Sequence, residues 1–213
     1  MIRPGLAALG AAVLAAAWLG PLPGLARHAF AAHMALHMSV VAVGAPLLAL
    51  GLSGGRFDPV PWKPGVFHPV LAPVLELIVV WGWHAPALHD AARSHPGVMI
   101  VEQGTFLGAS LLVWFSAYGG GPAERAHRAG AGMLGLLLTS MHMTLLGALV
   151  GLAPRTLYAH PASSIRGMTG LEDQQVGGAV MLLVGGAVYL AGGVGLALEL
   201  LRREPTGASE AFS

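Results

Sequence analysis

The sequence predicts an all-α protein, a polytopic membrane bundle of about six transmembrane helices. Only 10% of its 213 residues are charged, 55% are hydrophobic and the mean hydropathy is +0.69. A soluble domain usually carries about 25% charged residues. Several apolar runs also reach the roughly 20 residues needed to cross a bilayer. So few charges could not cover a water-exposed surface, and the composition therefore excludes a soluble globular enzyme.

Short loops rich in glycine and proline separate the predicted helices. The third segment ends before Pro86, because the residue preceding a proline disfavours helix. We find no repeat and expect residues 1–201 to form a single bundle, with residues 202–213 as a polar tail. The loop over residues 153–175 has room for a short interfacial helix. The predicted segments are Leu6–Leu19, Arg27–Leu50, Val70–His84, Val98–Tyr118, Ala129–Leu152 and Val176–Leu201.

The first segment also resembles a signal peptide, with Arg3 before a short apolar core and small residues near Ala26. We expect it to be retained as a helix. Basic residues concentrate on cytoplasmic loops, and their distribution here predicts that both termini are cytoplasmic. Seven lie on the amino-terminal side, namely Arg3, Arg56, Lys63, Arg125, Arg128, Arg202 and Arg203, against four on the other side, namely Arg27, Arg93, Arg155 and Arg166.

Polar residues of several predicted helices fall at a common depth in the outer half of the bundle. His84 lies at the outer end of the third segment, with Glu76 about 12 Å deeper at 1.5 Å per residue. Scattered packing histidines would not agree in depth, so we expect one cavity formed by His33, His37, His84 and His142, with Glu102 or Asp173 at its margin. The residues at this level are His33, Met34, His37, Met38, His84, Glu102, Met141, His142, Met143 and Asp173.

The stretch from His33 to Met38 is the most informative. The i, i+4 spacing stacks His33 on His37 and Met34 on Met38. Two imidazoles on one stripe can chelate a metal, and nearby thioethers favour soft Cu(I). The alternative is that the histidines hydrogen-bond across the bundle while the methionines fill gaps. Ionisable residues inside a membrane are usually functional, which favours the metal hypothesis.

The Met141-His142-Met143 triplet can offer His142 and one methionine to the same site, because neighbouring residues on a helix are 100° apart. Glu76 is either functional or a neutral carboxyl bonded to a neighbouring helix. Asp173 is explained equally well as an acid at the start of the sixth helix. Five further histidines lie in loops or at helix ends and are expected to be solvated, namely His68, His89, His95, His127 and His160.

The absence of cysteine excludes disulfides, thiolate catalysis, Cys-based zinc sites and iron–sulfur clusters. A net charge of +1 gives no nucleic-acid footprint.

The ordered set of motifs resembles the CtaG-type cytochrome c oxidase assembly factors, a family of multi-pass proteins of bacterial membranes. The similarity spans about residues 27 to 185. The matching motifs are His33-Met34 with His37-Met38, Pro46 to Gly51, Trp83-His84 with Pro86, His95, Leu111 to Trp114, Gly147 to Leu149, Leu157-Tyr158 and Leu171 to Gly178.

This resemblance implies a non-catalytic role in the bacterial inner membrane, in the maturation of a haem–copper oxidase. Oxidase subunits would be the partners, with Cu(I) as cargo and a periplasmic copper chaperone as its source. The sequence departs from the family in having six predicted spans where seven are common. It also has Gln103 where a histidine is common, and Met181-Leu182 where a tryptophan is common.

Three alternatives to a copper-handling assembly factor remain. A membrane cytochrome would use His37 and His142 as axial haem ligands. A metal-dependent membrane enzyme would use Glu76, Glu102 or Asp173 as a base, although no catalytic signature is present. A purely structural scaffold would have satisfied histidines and bind no metal.

Overall fold

All regular secondary structure in residues 3–158 and 167–202, which are the residues that the computed structural model describes, is helical, and this confirms the predicted fold class. Arg166, His160 and the predicted tail beyond Arg202 lie outside these residues. Within them the chain forms eight helices: α1 (Pro4–Leu19), α2 (Leu22–Ala26), α3 (Phe30–Leu52), α4 (Leu71–Trp83), α5 (Pro86–Ser94), α6 (Pro96–Tyr118), α7 (Pro122–Gly151) and α8 (Gly170–Arg202).

Four of these helices, α3, α6, α7 and α8, are long and apolar enough to cross a membrane by themselves. Helices α4 and α5 together make a fifth candidate span that bends by 72° at the break between them. Helix α1 is apolar but has only 16 residues. The predicted number of about six is therefore approximate, and it is reached only when α1 and the bent pair each count as one span.

Helix α5 is an element that the sequence did not predict. The predicted break before Pro86 is present, but a new helix starts at that proline. Proline is well suited to the first helical position, because its fixed φ matches the helix and its missing N–H is not needed there. The bend brings α5 against α6 at the end of the bundle where α4 finishes.

Two of the spans, α3 and α8, each contain a π-helical turn. These turns are Ser39–Gly44 in α3 and Met181–Gly185 in α8, and they contact each other. A π turn disrupts the regular helical hydrogen bonds, and such turns are common at functional sites. Here the carbonyl of Val41 accepts a hydrogen bond of 2.8 Å from the Ser110 hydroxyl of α6.

Helix α6 packs against α3, α4, α5 and α7, and α8 packs against α7 and α3. Between α7 and α8 the backbones come very close. A Cβ atom added to Gly178 would lie 2.5 Å from the Cα of Gly151 and 2.7 Å from the carbonyl oxygen of Gly147. Small residues at such crossings allow membrane helices to gain van der Waals contact.

Candidate metal centre

Three helices each contribute one buried side chain to a compact group that can hold a metal ion. His33 of α3, His89 of α5 and Glu102 of α6 offer ligand atoms that all lie within 4.8 Å of one another. Each residue is only 1% exposed. The Nε2 atom of His33 lies 3.1 Å from Oε1 of Glu102, and the rings of His33 and His89 have centroids 4.7 Å apart. We call these three residues the outer group.

A second pair of imidazoles lies next to the outer group, one helical turn further along α3. The rings of His37 and His84 meet edge to face with centroids 5.5 Å apart. The Phe106 ring packs edge to face against His37 at 3.9 Å. Nδ1 of His84 lies 2.7 Å from the carbonyl oxygen of Val80, which fixes the orientation of that ring.

Gln103 holds the carboxylate of the outer group from the side. Its Nε2 donates to Oε2 of Glu102 at 3.2 Å, and its Oε1 accepts from Nε1 of Trp18 at 3.5 Å. Gln103 also lines an apolar cavity of about 470 Å³, together with Trp18, Met99 and Arg27. Gln103 therefore orients Glu102. It stands at the position where the resembled family commonly has a histidine.

Tyr158 covers this region at the end of the bundle where α3 begins. Its ring stacks on Phe30 with centroids 4.8 Å apart and lies 4.4 Å from the ring of His89. Its hydroxyl donates to the carbonyl of His84 at 3.0 Å. Burial, reinforced by the Asp90 carboxylate, raises the pKa of Tyr158 to about 12. The hydroxyl therefore stays protonated and keeps donating this hydrogen bond.

Asp173 lies beside these elements and caps a helix. Its carboxylate accepts hydrogen bonds from the backbone N–H groups of Phe30 at 2.6 Å and Ala31 at 3.1 Å. It therefore caps α3, the helix that carries His33, and not its own helix as the sequence suggested. The start of α8 is instead closed by Thr169 and Glu172, which form a capping box.

Glu76 belongs to a separate polar network, deeper in the bundle. Thr139 of α7 donates to Oε2 of Glu76 at 3.0 Å, and the Tyr189 hydroxyl of α8 bonds to Oε1. Tyr189 in turn lies 2.8 Å from the hydroxyl of Ser110. This geometry agrees with the alternative of a carboxyl that is hydrogen-bonded to neighbouring helices.

Three of the four methionines of the predicted site pack along the contact between α3, α7 and α8. Met34 lies against Gly177, and Met38 and Met143 lie beside Gly185. All three are at most 2% exposed. Met141, in contrast, is 67% exposed, so Met143 and not Met141 is the methionine of the Met141-His142-Met143 triplet that packs in the interior.

His142 does not join the other histidines. It lines a groove on the outside of the bundle, between α7 and α4, together with Met141, Leu138 and Leu77. Within the described part of the chain, neither of its ring nitrogens has a hydrogen-bond partner. Along α7, His142 lies only three residues from Thr139, whose hydroxyl bonds Glu76, so His142 lies near the depth of Glu76. Along α4, His84 lies eight residues from Glu76 and is therefore much nearer to the end of the bundle. The expected convergence in depth therefore brings together His33, His37, His84 and Glu102 but leaves His142 aside.

His89 is the residue that the sequence interpretation missed. It was expected to be solvated, and it is instead 1% exposed. The error follows from the unpredicted helix α5, whose inner face carries His89 and Ala92 three residues apart. A helix starting at Pro86 would have indicated this spacing. His68, His95 and His127 are exposed, as expected.

Comparison with known proteins gives one match. No curated protein and no solved structure matches the sequence significantly. The sequence model described as cytochrome c oxidase caa3 assembly factor matches residues 2–203, which is nearly the whole chain. Together with the helical bundle and its ordered motifs, this match establishes that the chain belongs to the cytochrome c oxidase caa3 assembly factor family.

Proposed function

We propose that this assembly factor holds Cu(I) as cargo near the outer face of the bacterial inner membrane and passes it to an oxidase. The observation that carries the proposal is the buried outer group, His33, His89 and Glu102. Imidazole nitrogen and carboxylate oxygen are donors for first-row metals. Oxidase subunits are the receiving partners, and a periplasmic copper chaperone is the proposed source.

The donor set suits a carrier that must release its cargo. The chain has no cysteine, so no thiolate can hold copper tightly. Glu102 supplies one negative charge, which offsets the charge of a bound cation where water is scarce. The role is a non-catalytic one, because the ion is held and passed on without being chemically converted. The methionines and His142 of the sequence hypothesis are not part of this revised donor set.

The test is an anaerobic Cu(I) titration of the full chain purified in detergent. The His33→Ala, His89→Ala double variant is expected to bind one Cu(I) fewer per chain than the wild type and to fail to support oxidase activity in cells. The exposed His95 gives the matched control, and His95→Ala should behave as wild type. Acid should weaken binding, because an imidazole must be neutral to coordinate a metal.

Other outcomes separate the alternatives. Undiminished copper binding in the double variant contradicts the assignment of the outer group. Full oxidase activity of a protein that binds no copper would support the alternative of a purely structural scaffold. A Soret band in the visible spectrum of the purified protein identifies a cytochrome. Zinc or iron that is already bound when the protein is purified from cells, before any metal is added, favours an enzyme.

A further inference from the structure

We propose that His37 and His84 form a second, separate cation site, selective for a soft monovalent ion such as Cu(I) or Ag(I). It lies next to the outer group, one helical turn further along α3. This proposal goes beyond a single holding site and rests on the geometry of the pair itself. It does not require the assembly role to be correct, although its test also counts the ion of the outer group.

The first observation is the spacing of the two rings. Their centroids are 5.5 Å apart and their planes are inclined at 84°. Two imidazoles sharing one ion, each with its nitrogen about 2 Å from the metal, have ring centres about 6 Å apart. The observed pair is close to that separation, so an ion requires only a small adjustment of the two side chains.

The second observation is the tautomer of His84. Its Nδ1 lies 2.7 Å from the carbonyl oxygen of Val80. A carbonyl oxygen can only accept a hydrogen bond, so the proton of the neutral ring is on Nδ1 and the Nε2 atom carries a lone pair. Metal-binding histidines are commonly oriented by such a bond from the nitrogen that does not bind the metal. The Tyr158 hydroxyl bonds to the carbonyl of His84 at 3.0 Å and steadies its backbone.

The third observation is that three of the four ring nitrogens of this pair have no hydrogen-bond partner in the described part of the chain. Nε2 of His84 and both ring nitrogens of His37 lack a hydrogen bond within the described residues. His37 is fully buried and His84 is 6% exposed. Buried polar atoms are normally satisfied, and each exception calls for an explanation such as an ion. A cation between the rings would satisfy one nitrogen of each histidine.

The chemistry of the pair decides which ion it takes. Both donors are neutral imidazoles, and the ring of Phe106 forms an apolar wall against His37. Zn²⁺ normally requires four ligands, often with negative charge among them. A monovalent ion needs less charge compensation in an apolar interior. Soft Cu(I) and Ag(I) accept two nitrogen donors in a near-linear arrangement, so this pair favours them over divalent metals.

The position of the pair also provides a path from the outer group. His33 and His37 are i, i+4 neighbours on one stripe of α3. A cation leaving His33, His89 and Glu102 therefore meets His37 as its next donor. The two sites differ in charge, because only the outer group includes a carboxylate. Because of this difference, Zn²⁺ should report on the outer group alone, whereas Ag(I) should report on both sites.

The test is a titration of the full chain in detergent with Ag(I), a stable analogue of Cu(I), and separately with Zn²⁺. We expect the wild type to bind two Ag(I), and the His37→Ala, His84→Ala variant to bind one. The His33→Ala, His89→Ala variant should keep one Ag(I) and bind no Zn²⁺. X-ray absorption of its silver should give a shell of two nitrogens. His95→Ala is the matched control, since His95 also contacts a carbonyl four residues earlier, at 3.3 Å, but is exposed.

Several results would overturn the proposal. If the His37→Ala, His84→Ala variant still binds two Ag(I), the pair is not a site. If the wild type binds a single ion that either double variant loses, all four histidines share one site, and the proposed copper-holding role survives without this inference. If the His37→Ala, His84→Ala variant, in which the outer group is intact, binds no Ag(I) at all, the two sites are not independent and the proposal is wrong.

A measurement on the wild type guards against variants that fail to fold. With ¹⁵N-labelled histidine, bound Ag(I) should split the Nε2 signal of His84 and leave its Nδ1 signal unsplit. Absence of any silver coupling to His84 in a protein that binds Ag(I) would exclude this residue as a ligand.

Discussion

At the scale of single residues, the acidic side chains of this bundle divide by what they bond. Glu102 contacts His33 and is held by Gln103, so its carboxylate is available to a metal. Both carboxylate oxygens of Asp173 accept hydrogen bonds from backbone N–H groups at the start of α3. An uncapped helix start leaves N–H groups without partners, and in the apolar part of a membrane water cannot replace them. Asp173 is therefore a positioning residue for the helix that carries His33 and His37.

Substitution of Asp173 tests this distinction. We expect Asp173→Ala to lower the free energy of unfolding by about 1–3 kcal/mol, because two buried N–H groups lose their acceptor. Asp173→Asn keeps one acceptor oxygen and should lose less. Unfolding of the purified protein in detergent by increasing denaturant measures the effect.

Glu172→Ala is the matched control for Asp173→Ala, since Glu172 is the exposed neighbour that caps α8 itself. Glu172→Ala should lower the free energy of unfolding by less than Asp173→Ala, because Asp173 is buried. An Asp173→Ala protein of unchanged stability that no longer binds metal would instead make Asp173 a ligand.

At the scale of elements, close helix contact and irregular helix geometry together position the site. The bend between α4 and α5 turns His89 toward His33, so a donor from a short helix completes the outer group. The π turn of α3 separates the histidine half of that helix from its glycine- and proline-containing half. On the opposite side, the crossing of α7 and α8 holds Asp173 at the start of α3.

The crossing of α7 and α8 is sensitive to a single methyl group. Alanine at position 178 would place its Cβ 2.5 Å from backbone atoms of Gly151, and backbone cannot move aside as a side chain can. We expect Gly178→Ala to reduce the free energy of unfolding by about 1–3 kcal/mol, the usual effect of overpacking. Thermal unfolding in detergent is the measurement.

Gly108 of α6 offers the control for Gly178→Ala, because a Cβ there meets nothing within 4 Å. Gly108→Ala should leave stability nearly unchanged. Equal effects of the two substitutions would contradict the close packing of α7 and α8.

At the scale of the whole molecule, each end of the bundle is held together by its own set of hydrogen bonds. At one end, the backbone N–H of Arg3 donates to the carbonyl of Gly51 at 3.0 Å. Asp58 accepts hydrogen bonds there from the backbone of Gly54 at 2.6 Å and Gly120 at 2.7 Å. At the other end, Gln174 bonds the loop after α7 through Leu157 at 2.6 Å. The loops are thus divided between the ends as the sequence predicted.

Which end faces the cytoplasm is a prediction from the distribution of basic residues. The chain has no cysteine, so single cysteines can be introduced without background labelling. In intact cells, a membrane-impermeant thiol reagent should label Arg155→Cys and leave Arg56→Cys unlabelled. Both side chains are exposed, and permeabilised cells, in which both should react, give the control. Labelling of Arg56→Cys alone in intact cells would reverse the orientation.

Patterns in the sequence were enough to predict the fold class, the order of the membrane-spanning helices and the family. Apolar runs must be helical in a membrane, because only internal hydrogen bonds can satisfy their backbone there. The i, i+4 spacing of His33 and His37 likewise follows from helix geometry alone. For the same reason, the outer level of His84 and Glu102 could be predicted from the direction in which each helix runs.

Which polar residues meet depends instead on how the helices pack against one another. Depth along a helix follows from residue number, but the face that a helix turns inward depends on its neighbours. This is why His142, which was predicted to join the other histidines, lines a groove on the outside of the bundle together with Met141. It is also why His89, from a helix created by the bend at Pro86, belongs with His33 and Glu102. The donor set is thus fixed by packing between helices, which the pattern within any one helix does not contain.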